Sequence, residues 1–443
     1  MAHSKRPSYG LNEILQSLRI PSQGSIDRMD ANLTSVRGAQ EVVSMISSRR
    51  SVTKLILGHN NLADDGCVVL FKFLASSAGR RYRITEISLN SNSIGNRGLK
   101  AISEYLRGNH VLEELFLQNN RFTGDADTLT SFATALNSSR LKLLSLTTNR
   151  NLSDPFLQVF LPLLDSPHLG ELQLSAIGLT PEAAPFIVTY LSSPRCRLHT
   201  LKCNGNSLGF RAVRSIIRAV KRHNFTLITL EMYANHTVGP VNSDNTSEDD
   251  EDAEAGTKAG LDAWKACEVQ IRIVLLRNAH LKRETEKEAL LLLRCARPLL
   301  LSSAGPARAP IAKTGCSESS CAEPDTADTV PKHPPNISFP FTSLPTELQL
   351  YMMSFLAPVL SPAQRIRIYT YAASPTTLPR AGLFLPGLPR SAGVCVSDTG
   401  SWAGSKCKGL SNTMALVHRK DEQRAEWLRA MGCSAYDPHR EGD

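Results

Sequence analysis

Apolar residues recur along the first half of the chain in one repeating frame. The stretch Leu112–Phe122 (LEELFLQNNRF) reads L-x-x-L-x-L-x-x-N-x-Φ, with Φ apolar. Its alternating Leu residues predict a short strand that buries every second side chain, and its Asn falls where the chain must turn. Seven such copies begin at Val52, Ile84, Leu112, Leu141, Leu169, Leu198 and Leu227. Their second apolar position falls at Leu55, Ile87, Leu115, Leu144, Leu172, Leu201 and Leu230, with gaps of 32, 28, 29, 28, 29 and 29 residues. A period this regular predicts a solenoid, in which each unit buries its apolar face on its neighbours. The return leg of each unit is long enough for a helix. Leu99, Ile102, Tyr105 and Leu106 stand at helical spacing after the second copy, as do Val213, Ile216, Ile217 and Val220 after the sixth. The wider first gap fits a loop insertion around residues 78–81.

Upstream, Ile26-Asp27-Arg28-Met29-Asp30-Ala31 reads as a degenerate first copy, as expected where one face meets solvent. A helix over 39–46 should follow, with Val42, Val43 and Ile46 on one side. Residues 1–23 form an N-terminal cap segment that includes a short amphipathic stretch, Leu11 to Leu18.

Pattern, period and return helices resemble the ribonuclease-inhibitor class of leucine-rich repeats over residues 24–238. The resemblance implies an α/β horseshoe with a parallel concave sheet and convex helices. Its departures are Ile177 in place of Asn, Cys203 in place of the third apolar residue, and an extra residue after Asn149.

The character changes at Gly239. Residues 239–260 form an acidic insertion, with seven acids and no base between Ser243 and Glu254, and read as disordered. Ser247, with acids at the next three positions, resembles a substrate of acid-directed kinases. Two helices are expected over 261–301, one ending near Arg277-Asn278 and one from Lys282 to Arg297, limited by Pro298. They would complete the last repeat and close its core. Residues 302–340, rich in Pro, Ala, Ser and Thr, read as a flexible linker. An apolar helical segment at 341–373 follows, with Thr342 or Ser343 as helix cap and Pro345 in the first turn. Leu348, Met352, Phe355 and Leu356 share one face of that helix. A loop-rich tail over 374–443 ends in a short helix. The C-terminal region is thus small, mostly helical and partly disordered.

Composition narrows the classes. The chain has 443 residues, 42% of them hydrophobic and 6% aromatic, with a formal net charge of +9. Ten cysteines occur without a signal peptide or a zinc-ligand spacing, which predicts reduced thiols in a soluble intracellular protein, cytoplasmic or nuclear. No apolar run reaches the ~18 residues that a membrane span requires. No nucleophile motif, phosphate-binding Gly loop or metal-ligand cluster is present, so no catalysis and no cofactor is expected.

Candidate function therefore lies between the Leu positions of the repeats. The third, fifth and seventh positions point away from the core: Lys54, Ile56 and Gly58; Glu86, Ser88 and Asn90; Glu114, Phe116 and Gln118; Leu143, Ser145 and Thr147; Glu171, Gln173 and Ser175; Thr200, Lys202 and Asn204; Thr229, Glu231 and Tyr233. Scattered charges with apolar anchors at Ile56, Phe116, Leu143 and Tyr233 suit a protein partner. A basic stripe at Arg211, Arg214, Arg218, Lys221 and Arg222 carries no interleaved aromatics for base stacking, so it reads as a solvated helix face and not as a nucleic-acid site.

Residues 344–356 (LPTELQLYMMSFL) resemble the start of the F-box, the helical module that docks on the adaptor of cullin ubiquitin ligases. Leu344, Pro345, Glu347, Leu348, Met352 and Leu356 carry the match. Pro358 and the lack of a Cys-Arg-x-Trp ending depart from it. The whole order of segments resembles fungal ribonuclease-inhibitor-like proteins. Repeats followed by an acidic tract also resemble Ran GTPase-activating proteins, although here the tract interrupts the end of the repeats. The expected function is a non-enzymatic scaffold that binds a protein on the concave face, and residues 344–356 either dock on a cullin-ligase adaptor as a second partner or pack as a capped amphipathic helix on the end of the repeats. The alternative is regulation of a small GTPase.

Overall fold

In the computed structural model, residues 24–235, 258–302, 341–377 and 410–438 are described. They fall into two compact units that divide after Ala279.

The first unit alternates strands and helices: β1 (Ser25–Asp27), α1 (Ser35–Ser47), β2 (Lys54–Ile56), α2 (Ala63–Ala75), β3 (Glu86–Ser88), α3 (Asn96–Leu106), β4 (Glu114–Phe116), α4 (Ala126–Asn137), β5 (Leu143–Ser145), α5 (Ser153–Leu163), β6 (Glu171–Gln173), α6 (Ala184–Ser192), β7 (Thr200–Lys202), α7 (Gly209–His223) and β8 (Thr229–Glu231). The strands form one parallel sheet in sequence order. This is a leucine-rich-repeat solenoid. Its register is in phase throughout, with Ile26, Leu55, Ile87, Leu115, Leu144, Leu172, Leu201 and Leu230 as successive partners. All eight are buried. The degenerate copy supplies β1, and the insertion in the first wide gap forms a short 3-10 turn at Gly79–Arg81.

Two devices make the turn after each strand. A residue in the left-handed region recurs at one position of the repeat: Asp30, His59, Ser91, Asn119, Thr148, Ala176, Gly205 and Ala234. The next position is Asn in six copies, and its amide joins two repeats. Asn120 donates to Leu117 O and Gln118 O of its own turn (3.0 and 3.2 Å) and to Leu89 O of the preceding copy (3.1 Å). Its side-chain oxygen accepts from the N–H groups of Asn92 and Ile94, both at 3.1 Å. Asn60, Asn92, Asn149, Asn206 and Asn235 also reach back to a carbonyl of the copy before. Where Ile177 replaces Asn, Ile177 packs as a buried apolar residue. The N–H groups of Ile177, Gly178 and Leu179 are met from ahead by Asn206 at 3.0–3.2 Å.

Helix α8 (Lys258–Ser302) is continuous over 45 residues, where a break had been expected after Asn278. Asn278 signals a helix end by residue type, but here it is fully buried. Its amide donates to Asn224 O (3.2 Å) and Leu227 O (2.8 Å), so it fastens the helix to the last repeat. Arg277 donates to Lys221 O, Val220 O and Asn224 O, carbonyls at and just past the end of α7, and stacks on Phe225 at 4.6 Å. Trp264, Cys267, Ile271, Val274 and Leu275 of α8 belong to the repeat core. Pro298 lies within the helix and does not end it.

The second unit takes its core from the later part of α8 (Leu290, Leu293, Ala296) with α9 (Thr346–Ser354), α10 (Pro362–Ala373) and α11 (Leu410–Ala430). The segment from Lys282 therefore builds this core, where it had been expected to close the repeats. A reciprocal cap between Ser361 and Gln364 starts α10, and Gln364 also donates to Gly432 O at 2.7 Å. Pro345 occupies the cap position of α9 without a side-chain cap bond, where Thr342 or Ser343 had been expected to cap.

Candidate functional site

Parallel sheets are usually covered on both faces. Among the described residues the helices cover one face only, and the other presents side chains at the third, fifth and seventh repeat positions. Because the register is in phase, these side chains form rows across the strands, with neighbours in a row ~4.8 Å apart and successive rows about 6.6 Å apart along the strands.

One row runs Ser25, Lys54, Glu86, Glu114, Leu143, Glu171, Thr200, Thr229, and the next runs Asp27, Ile56, Ser88, Phe116, Ser145, Gln173, Lys202, Glu231. The charges pair across strands. Lys54 bonds Glu86. Lys202 sits between Glu171 and Glu231, 3.5 Å from each. Glu171 also accepts from Gln173 at 2.6 Å, and Glu231 from Asn204 at 2.8 Å.

Glu114 stands apart. It is half-buried in the middle of the sheet, and its carboxylate makes no hydrogen bond or ion pair among the described residues. Burial first, then the neighbouring charge of Glu86, pushes its carboxyl above the ordinary range, while Lys54 opposes the shift. Lys54 is shifted up in turn, chiefly by its hydrogen bond to Glu86.

Phe116 is half-buried on the same face, two residues after Glu114. It lies in register with Ser88 and Ser145 on the flanking strands. Those two serines are 6% and 0% exposed, so neither is available to a partner, although both had been expected as contact residues. Ser145 instead accepts from the amide of Gln118 at 2.8 Å, and Gln118 N donates to Asn90 Oδ1 at 3.0 Å. Small buried serines on either side leave Phe116 as the large side chain of this patch. Ile56, Leu143, Gln173, Lys202 and Asn204 are half-buried, whereas Tyr233 is 62% exposed at the end of the sheet. Asp27 and Met29 extend the same face in the first copy, both exposed. Sequence reasoning missed them because that copy lacks the Leu frame, although Ile26 was the available signal.

In the second unit, Leu348, Tyr351, Met352, Phe355 and Leu356 are all exposed, while Gln349 and Met353 are buried. The face shared by Leu348, Met352, Phe355 and Leu356 thus points outward. The rings of Tyr351 and Phe355 meet edge-on at 5.2 Å. Glu347 and Pro345 are exposed and Leu344 is half-buried.

Ser247 lies outside the described residues. The cysteines at 67, 196, 203, 267, 295 and 433 are free thiols. Burial pushes Cys203 up to about 12, far from a reactive thiolate. No group of three or more His, Cys, Asp or Glu that could hold a metal ion occurs among the described residues. Nor is any described helix long and apolar enough to cross a membrane.

A family model for the leucine-rich repeat matches residues 49–71 and 84–103. The chain is similar to NACHT, LRR and PYD domains-containing protein 5 of Mus musculus, 26% identical over 194 residues, which cover 43% of this chain and 16% of that protein. It is also similar to Tonsoku-like protein of Mus musculus, 26% identical over 218 residues, covering 47% of this chain and 16% of that protein. The chain thus spans a small part of either relative.

Proposed function

We propose that the protein is a non-enzymatic interaction scaffold whose concave sheet face binds a protein partner. Leucine-rich repeats commonly serve as interaction surfaces, and no described helix covers the second face of this sheet. The observation that carries the reading is the mixture on that face. Phe116, Leu143, Ile56 and Tyr233 offer apolar anchors among oriented carboxylates and amides, the composition in which a few large side chains supply most of the affinity. The test compares proteins recovered from cells by the wild type and by a Phe116→Ala, Tyr233→Ala double variant. A partner bound equally by both would remove the reading.

A second reading concerns the other unit. The exposed apolar face of α9 supports docking on a cullin-ligase adaptor, as the F-box resemblance implies. The test is a pulldown with the adaptor. Binding that survives Leu344→Ala with Leu348→Ala would count against it. Regulation of a small GTPase has the repeat fold as its whole support, and fold alone does not assign function. Ran-GTP hydrolysis unchanged by added protein dismisses it.

A further inference from the structure

The charge pattern of the concave face carries the proposed function one step further, to the chemistry of the partner, and rests on that reading. Five carboxylates (Asp27, Glu86, Glu114, Glu171, Glu231) face two lysines (Lys54, Lys202) in the two rows nearest the strands. Both lysines are already engaged by Glu86, Glu171 and Glu231. The face is therefore negative in a chain whose net charge is +9. Negative surplus is concentrated at Glu114, whose carboxylate has no hydrogen bond or ion pair among the described residues and whose nearest lysine, Lys54, is bonded to Glu86. Glu86 lies beside it in register on β3, Leu143 lies beside it on β5, and Phe116 follows on the same face of β4.

We infer that the concave face docks a basic protein segment and seats one of its lysine or arginine side chains between Glu114 and Phe116. An ammonium or guanidinium there meets a carboxylate that lacks a partner and the face or edge of an aromatic ring, two attractions that reinforce each other. The apolar stem of the same side chain covers Leu143 and Phe116. Such a cation offsets the repulsion between Glu114 and Glu86 that the free protein carries. It also explains why a half-buried acid stands in the centre of the sheet with no ion pair of its own among the described residues. Charge of one sign over several strands adds steering of the encounter, which depends on salt. An acidic segment meets uncompensated repulsion at Glu114 and is excluded, so the arrangement selects as well as attracts.

The experiment uses the full chain and a displayed library of random peptides, with binders kept only if they lose affinity for a Phe116→Ala chain. Their affinities are then measured by fluorescence anisotropy on the wild type, on Glu114→Gln and on Glu104→Gln, an exposed acid of the outer helix α3. The inference expects binders rich in Lys and Arg, weakened about tenfold by Glu114→Gln, unchanged by Glu104→Gln, and weakened as salt rises from about 0.05 M to about 0.3 M. Binders that are neutral or acidic, or indifferent to Glu114→Gln, overturn the inference while leaving the concave face as the binding surface. If selection yields only peptides that bind the Phe116→Ala chain equally, the concave reading itself fails. Should Glu114→Gln lower the thermal transition, the salt dependence on the wild type still decides the matter.

Discussion

The side-chain oxygen of Asn120 accepts a hydrogen bond from the backbone N–H of Asn92, one repeat earlier, at 3.1 Å. Asn120 thereby joins two repeats, because its amide also donates to Leu89 O of that copy. Replacing it with Ala strands the N–H groups of Asn92 and Ile94 and the carbonyl of Leu89 in a poorly solvated turn. Asn120→Ala is expected to cost ~2–4 kcal/mol in urea unfolding of the chain. A cost under ~0.5 kcal/mol would show that water replaces the amide without loss.

The Leu frame and its period were enough to place every central strand residue and the face to which the intervening side chains point. Repetition made this legible, since one pattern read seven times leaves little freedom of register. Each Asn was legible as a turn residue, but its reach into the preceding copy was not, because that depends on how neighbouring turns stack. The helix from Lys258 was misread at Asn278 for a related reason. By type Asn278 ends a helix, and only the carbonyls of Asn224 and Leu227 nearby show that its amide is used elsewhere. Cross-strand pairing on the concave face was hidden in the same way. Lys202 is one letter in the sequence, and its place between Glu171 and Glu231 appears once the strands align.

Glu114 gives a prediction with a definite sign. Its carboxyl titrates above the usual value of 4.5 in the fold, chiefly through burial, so the folded state holds its proton more tightly than the unfolded chain. Ionised Glu114 therefore costs stability at neutral pH, and the cost vanishes once pH falls below the ordinary range. Glu114→Gln is expected to raise stability at pH 7 by a few tenths of a kcal/mol, on the order of a half-exposed charge interaction. The gain should shrink as pH falls through the raised value and be absent below about 4. Thermal melts of both proteins across that range check this. A destabilised variant at pH 7 would contradict it.

Met353 and Leu348 lie on opposite sides of α9, one 3% exposed and the other 49%. Met353→Ala is expected to cost ~2–4 kcal/mol in the second unit, as core truncations do. Leu348→Ala should fall within ~0.5 kcal/mol, as surface changes do. The readout is denaturant unfolding followed by tryptophan fluorescence, since Trp427 lies in the same core. Equal costs would mean that the exposed face is covered in solution.

Lys202 holds two carboxylates, and its loss should leave Glu171 and Glu231 facing one another across β7. Lys202→Met is expected to strengthen binding of basic peptides by about threefold, since two carboxylates lose their internal counter-ion. Anisotropy titration with one such peptide checks this, and weakened binding would show that Lys202 itself contacts the partner.

The central claim is that the concave sheet face is where a protein partner sits. Its most direct test places a photo-crosslinking amino acid at position 116 on the sheet, and separately at position 218 on the exposed side of α7, in the full chain in living cells. The account predicts a discrete crosslinked partner from 116 that is lost when Glu114 is changed to Gln or Tyr233 to Ala, and none of that species from 218. The same species crosslinked equally from both positions, or only from 218, would contradict it.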